Sequence, residues 1–123
     1  MSPSLNAYDL QRNAWLPYFD QVNVIVFLAP ISCFDERLEE DPEVNRLEDS
    51  FILWKAVCSS KLLRQATLIL ILNKVDILQR KIESGVMVNL HLPSYENRPN
   101  DTQSVVECTS ATFIGYYATS RDV

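Results

Sequence analysis

Thr67-Leu68-Ile69-Leu70-Ile71-Leu72 runs directly into Asn73-Lys74-Val75-Asp76. The first six residues are apolar or β-branched and read as a strand. Their continuity, with no polar alternation, predicts burial on both faces, as in a parallel sheet covered by helices on each side. Val22-Asn23-Val24-Ile25-Val26-Phe27-Leu28-Ala29 is a second run of this kind, closed by Pro30 and Ser32. Two buried strands separated by a long helical stretch make the βαβ pattern of a parallel sheet. In open α/β sheets ligands bind outside the carboxyl ends of the strands, and Asn73 falls at such an end.

Asn-Lys-x-Asp at that place is the guanine-recognition motif of GTP-binding proteins, and the chemistry asks for those residue types. A guanine edge presents two adjacent donors, the ring N–H and the exocyclic amine. One carboxylate, that of Asp76, can accept both, and adenine does not offer that pair. The Lys74 stem can lie along the nucleotide, and the Asn73 amide can bond the base or brace a neighbouring loop. The same residues also suit a polar strand-to-helix turn with Asp76 as its N-cap.

The chain has 123 residues, enough for one small domain with a core of its own. Apolar residues make up 47% and charged residues 22%, which argues for a globular chain and against disorder. A net charge of -5 disfavours a general nucleic-acid binder, which needs a basic face. No apolar run approaches a transmembrane span. Met1-Ser2-Pro3-Ser4 has neither a signal-peptide pattern nor the Met-Gly start of N-myristoylation. Cys33, Cys58 and Cys108 are widely spaced and form no C-x-x-C pair, so reduced thiols in a cytoplasmic setting are expected. With the single His91 they make no zinc set, and no metal ligands are assigned. Gly85 and Gly115 are the only glycines. A phosphate-cradling G-x-x-x-x-G-K-[ST] loop needs two glycines five apart, so this sequence holds none.

The intervening chain is acidic from Asp35 to Asp49 and reads as a solvated loop and helix start. Asp41-Pro42-Glu43 suits an N-cap, an N1 proline and a dipole-favourable acid. Val44, Leu47, Phe51, Trp54 and Cys58 then recur at helical steps, predicting a helix over 42–59 with its stripe in the core. Gln11 to Asp20, dense in aromatics, predicts a short helix ending near Pro17. Ile77 to Ser84 predicts another, with Gln79, Arg80 and Lys81 complementing its C-terminal end and Gly85 as its left-handed cap. Val86 to Asp101 reads as a long polar connection. Beyond it, Ser104 to Glu107 suits a helix start and Thr112 to Tyr117 a strand.

These residues together resemble one family. Trp15 to Asn23, Phe27 to Asp35, Asn45 to Phe51 with Trp54, Thr67 to Leu78, and Leu92-Pro93-Ser94-Tyr95 with Arg98-Pro99-Asn100-Asp101 are similar to the alpha subunits of heterotrimeric G proteins, fungal members above all. The likeness runs from about 12 to 106, with 107–123 as a divergent tail, in one partial Ras-like GTPase domain over 1–123. The resemblance implies an α/β fold: an incomplete Ras-like P-loop NTPase, mostly parallel sheet with flanking helices, its P-loop and helical domain missing. It implies a guanine nucleotide-binding signal transducer that hydrolyses GTP with Mg²⁺. It also implies partners: a beta–gamma dimer, a receptor and an effector such as adenylate cyclase, at the cytoplasmic face of the plasma membrane.

Carried over residue by residue, the resemblance makes Asn73, Lys74 and Asp76 the guanine readers. Thr109-Ser110-Ala111-Thr112 resembles the family's second guanine loop, in which the backbone N–H of Ala111 would meet the base oxygen. It arrives early for that role, and coincidence in a divergent tail is the favoured explanation. Arg12 and Asp49 match a pair that joins the second switch to the family's third helix. Counting back from Trp15, Ser4 stands where the family has a metal-linked Asp, Ala7 replaces a glycine, and Tyr8 stands in place of the water-orienting Gln. No catalytic residue is therefore assigned, and weak or absent nucleotide binding without hydrolysis is expected. The alternative is a nucleotide-free interaction fragment, a decoy for G-protein partners.

Overall fold

The computed structural model describes residues 24–121. The expected helix over Gln11 to Asp20, with Arg12 and Trp15, lies outside the described residues, as do Ser4, Ala7 and Tyr8. Two strands, β1 (Val24–Pro30) and β2 (Thr67–Asn73), pair in parallel with Val24 opposite Thr67 and Pro30 opposite Asn73. Among the described residues the α-helices are, in chain order, α1 (Arg46–Ser59, between the strands), α2 (Val75–Glu83), the single turn α3 (Val88–His91) and α4 (Thr102–Arg121). Short 3₁₀ turns at Ile31–Asp35, Lys61–Leu63 and Pro93–Tyr95 fill the connections.

The register sorts the strand residues by face. Phe27 and Ala29 stand opposite Leu70 and Leu72 and point into the core. α1 and α4 close over that face through an aromatic cluster. Phe27 meets Trp54 edge-on at 5.2 Å, and Phe113 meets Phe51 at 4.8 Å. The Trp54 indole N–H also donates to the Phe113 carbonyl at 2.8 Å, so the polar handle of a buried ring is satisfied. The opposite face departs from the expectation of two-sided burial. Val24, Val26, Leu28, Ile69 and Ile71 are 42–57% exposed. A continuous apolar run carries no period, so it cannot show which of its two faces the described residues cover.

The first helix starts later than its sequence suggests. Asp41 accepts the Glu43 N–H at 3.2 Å and makes a tight turn, while Arg37 and Asn45 form an antiparallel bridge around it. The true N-cap is Asn45, whose Oδ1 accepts from the Leu47 and Glu48 N–H groups at 2.9 and 3.1 Å. Its Nδ2 donates to the carbonyls of Phe34 at 2.5 Å and His91 at 3.0 Å. Asn45 is buried with every hydrogen-bonding site of its amide used, which ties α1, the Ile31–Asp35 turn and α3 together.

The stretch expected as a polar connection is folded. Val88, Leu92 and Tyr95 are buried at four- and three-residue steps. Asn100 closes the loop, accepting from the Val88 N–H at 2.9 Å and donating to the Val86 carbonyl at 3.0 Å. The Tyr95 hydroxyl donates to the Pro99 carbonyl. The expected strand at Thr112 to Tyr117 is helix: Asp101 caps the Ser104 N–H at 2.7 Å, and α4 continues unbroken to Arg121. Val105, Thr109 and Phe113, four apart, form its buried stripe.

Candidate functional site

Both strands end at the same level, because Pro30 pairs with Asn73. Two turns therefore leave the sheet side by side at its carboxyl edge: Ile31–Asp35 after β1, and Asn73 to Asp76 after β2. Asn73 is half-buried, and its Oδ1 accepts the Lys74 N–H at 2.9 Å. Lys74 is exposed and adopts φ 67°, ψ 32°, the left-handed region that a residue with a Cβ rarely enters. That conformation turns the chain abruptly from strand into α2. Lys74, not Asp76, is the N-cap, and it caps without using its side chain. Asp76 sits two residues inside the helix, so the structural alternative in which it caps the turn does not hold. Its carboxylate is 71% exposed, and its ion partner is Arg80, one turn on, at 3.9 Å.

α2 is anchored at three levels. Leu78 is fully buried, and Val75 and Ile82 pack beside it. At the far end, Gly85 takes φ 98°, with its N–H bonded to the Ile82 carbonyl and the Val86 N–H to the Lys81 carbonyl. This is the Schellman arrangement that the glycine predicts. The basic residues of the last turn do more than complement the dipole. Arg80 reaches back to Asp76, while Lys81 crosses to the turn after β1. Its Nζ donates to the Ser32 carbonyl at 2.6 Å, to Asp35 at 2.5 Å and to Glu36 at 3.3 Å, and lies 5.6 Å from the centre of the Phe34 ring. Glu36 in turn holds Arg46 of α1 at 2.6 Å. Burial alone would pull the Lys81 amine down, but hydrogen bonds to Asp35 and Glu36 and their negative charges outweigh it and hold the amine above its ordinary value. Composition hid this network, since Asp35 and Glu36 read as two members of a solvated acidic run.

The remaining expected site residues are placed apart. Thr109-Ser110-Ala111-Thr112 lies within α4 and forms no loop. Thr109 is buried with its hydroxyl on the Val105 carbonyl at 2.8 Å, and Ala111 is an exposed helical residue. The backbone N–H of Ala111 stands mid-helix, where ladder bonds use such groups. Asp49 is half-buried on α1; burial, then the charge of Glu40, raises it above its ordinary 3.8 against the pull of Arg46. Its expected partner Arg12 lies outside the described residues.

A groove of about 540 Å³ runs between α1 and α4, floored by Phe51, Tyr95 and Thr112, and it includes none of Asn73, Lys74 and Asp76. Among the described residues no group of three or more His, Cys, Asp or Glu could hold a metal ion. None of the described helices is long and apolar enough to cross a membrane. Cys33, Cys58 and Cys108 form no disulfide among the described residues.

A family model of G-protein alpha subunits matches residues 8–122. The chain is 43% identical over 103 residues to a guanine nucleotide-binding protein alpha-4 subunit of Mycosarcoma maydis, covering 84% of this chain and 18% of that protein. It is 31% identical over 113 residues to a guanine nucleotide-binding protein subunit alpha of Candida albicans, covering 92% of this chain and 26% of that one. The G(f) alpha subunit of Drosophila melanogaster is 41% identical over 87 residues, 71% of this chain and 22% of its own length. The chain thus spans about a fifth to a quarter of these relatives.

Proposed function

The chain belongs to the G-protein alpha subunit family, and on that premise we propose that Asn73, Lys74 and Asp76 read the base of a guanine nucleotide. One observation carries the reading. The Asp76 carboxylate stands open to solvent at the carboxyl edge of a parallel sheet, opposed only by a weak pairing with Arg80. The two N–H donors of a guanine edge can displace that pairing at small cost. Asn73, bonded to the Lys74 backbone through its oxygen, keeps its amide N–H groups for the base or a neighbouring loop.

Affinity for a nucleotide comes largely from phosphate and Mg²⁺ contacts. This sequence holds no P-loop and no Asp-x-Gly-Gly-Gln segment, so we expect the 123-residue chain to bind GDP at best very weakly and not to hydrolyse GTP. The family setting supports a role in signalling with a beta–gamma dimer, a receptor and an effector, and Arg12 and Asp49 as a switch pair. A second reading, an interaction fragment that works without nucleotide, draws on the apolar sheet face that the other described residues leave exposed. Titration of a fluorescent GDP analogue into the purified chain, with Asp76→Ala beside it, separates the two. Weak saturation that disappears in the variant supports base reading, and identical curves for both chains refute it.

A further inference from the structure

We infer that Lys81 is a positioning residue, fixing the rotation of α2 about its axis and thereby the guanine-reading carboxylate of Asp76. The inference rests on the base reading proposed above and deepens it. α2 is short, and its buried contacts lie along one line: Val75, Leu78 and Ile82. One apolar line resists separation from the core but resists rolling poorly, because dispersion and burial are non-directional. Lys81 supplies what that line lacks. Its amine leaves the helix sideways and ends on three oxygens of one turn, those of Ser32, Asp35 and Glu36, at 2.5–3.3 Å. Its side chain is 21% exposed and that of Asp35 20%, so water competes little for these bonds. The anchor is itself fixed: Ser32 and Phe34 are buried, the Phe34 carbonyl receives Asn45, and Glu36 is held by Arg46. A line of bonds therefore runs from the N-terminus of α1, through the turn after β1, to the helix that carries Asp76.

The lever is short. A carboxylate about 5–6 Å from a helix axis moves by roughly 1 Å when the helix rolls by ~10°. Recognition by two parallel hydrogen bonds tolerates about 0.5 Å. Holding the last turn is therefore a condition for reading the base at the first.

The test uses the full chain and two readouts, with Lys81→Met, Lys81→Arg and, in case the methionine variant folds poorly, Asp35→Asn. The first is amide exchange at Leu78, bonded to the Lys74 carbonyl, against Val105, bonded to the Asp101 carbonyl. Lys81→Met should speed Leu78 exchange at least ~10-fold and leave Val105 within ~2-fold, whereas a general loss of stability moves both. Asp35→Asn should act in the same direction by ~3-fold. The second is NMR titration with GDP and with xanthosine diphosphate. A wild-type preference of ~10-fold for GDP should fall below ~3-fold in Lys81→Met and return in Lys81→Arg, which keeps the charge and reach. Unchanged Leu78 exchange in Lys81→Met, or an unchanged preference, overturns the proposal. A wild-type chain that shifts equally with both nucleotides refutes the base reading instead, and exchange at Leu78 still decides whether Lys81 holds α2.

Discussion

Truncating Asn45 to alanine removes four hydrogen bonds at a buried point where three elements meet. Two are the cap bonds to the Leu47 and Glu48 N–H groups, and two run from the amide to the carbonyls of Phe34 and His91. Loss of an N-cap costs about 1 kcal/mol. Each carbonyl left without its donor in a dry site adds about 1 kcal/mol or more. The total is about 3 kcal/mol, a large share of the 5–15 kcal/mol typical of a domain. Asn45→Asp divides the sum: the cap acceptors survive, but the two donors are lost and a carboxylate faces two carbonyl oxygens. Urea unfolding followed by Trp54 fluorescence measures both variants, with Trp15→Phe as background in every sample. Asn45→Ala should lower the midpoint by an amount equal to about 3 kcal/mol, and Asn45→Asp should be no better despite keeping its cap. An alanine variant within 1 kcal/mol of the parent would mean that water replaces the Nδ2 bonds and that Asn45 does not join the three elements.

Three further outcomes are expected. Asp76→Asn should turn any base preference from guanine toward xanthine, because the amide offers a donor where xanthine presents a carbonyl; equal loss of both bases would mark Asp76 as structural. Burial pushes the Cys33 thiol from 9.0 up to about 11, so the unfolded thiol ionises first. The stability this confers is complete below pH 9 and is lost as pH rises to about 11, some 2–3 kcal/mol in all. Lys81, held above 10.5, loses its ion pairs higher still; thermal melts from pH 8 to 11 should show an earlier fall in the parent than in Cys33→Ala. Ile71→Lys, on the face of β2 that the other described residues leave exposed, should change stability by under about 1 kcal/mol while reducing self-association in sedimentation velocity. A loss above about 2 kcal/mol there would show the face to be covered.

The strands and the turn between β2 and α2 were legible because apolar continuity and the Asn-Lys-x-Asp spacing are local signals. Gly85 was legible for the same reason: a left-handed cap belongs to one residue. The start of α1 was not, because Asp41-Pro42-Glu43 carries every feature of a helix N-terminus and yet folds as a tight turn. What decides for Asn45 is a pair of carbonyls, one of them 46 residues away, which no window contains. In α4, β-branched and aromatic residues from Thr112 to Tyr117 suggested a strand. The four-residue spacing of Val105, Thr109 and Phe113 was present and outweighed propensity, as burial usually does. The same spacing, Val88 to Leu92 and on to Tyr95, lay hidden among the prolines and asparagines of 86–101. In the proposed site, the Asn-Lys-x-Asp spacing singles out Asp76 in the sequence, whereas the contact of Lys81 with Ser32, 49 residues back, leaves no local signal.

The pairing of β1 with β2 also sets a timetable. Among the described residues, each β1 residue's partner lies roughly 40 residues further along the chain, and closing a loop of that length must precede any reward from the contact. At 5–20 residues per second, β1 leaves the ribosome some 2–10 s before β2 is complete. Phe113, which covers the face of Phe27, follows after a further interval of similar length. Through that time no later strand of the described residues pairs with Val24 to Ala29, and an unpaired apolar strand is the form that pairs with the wrong neighbour. Acidic residues from Asp35 to Asp49 emerge just behind it, flanking charges of the kind that oppose aggregation of an apolar strand.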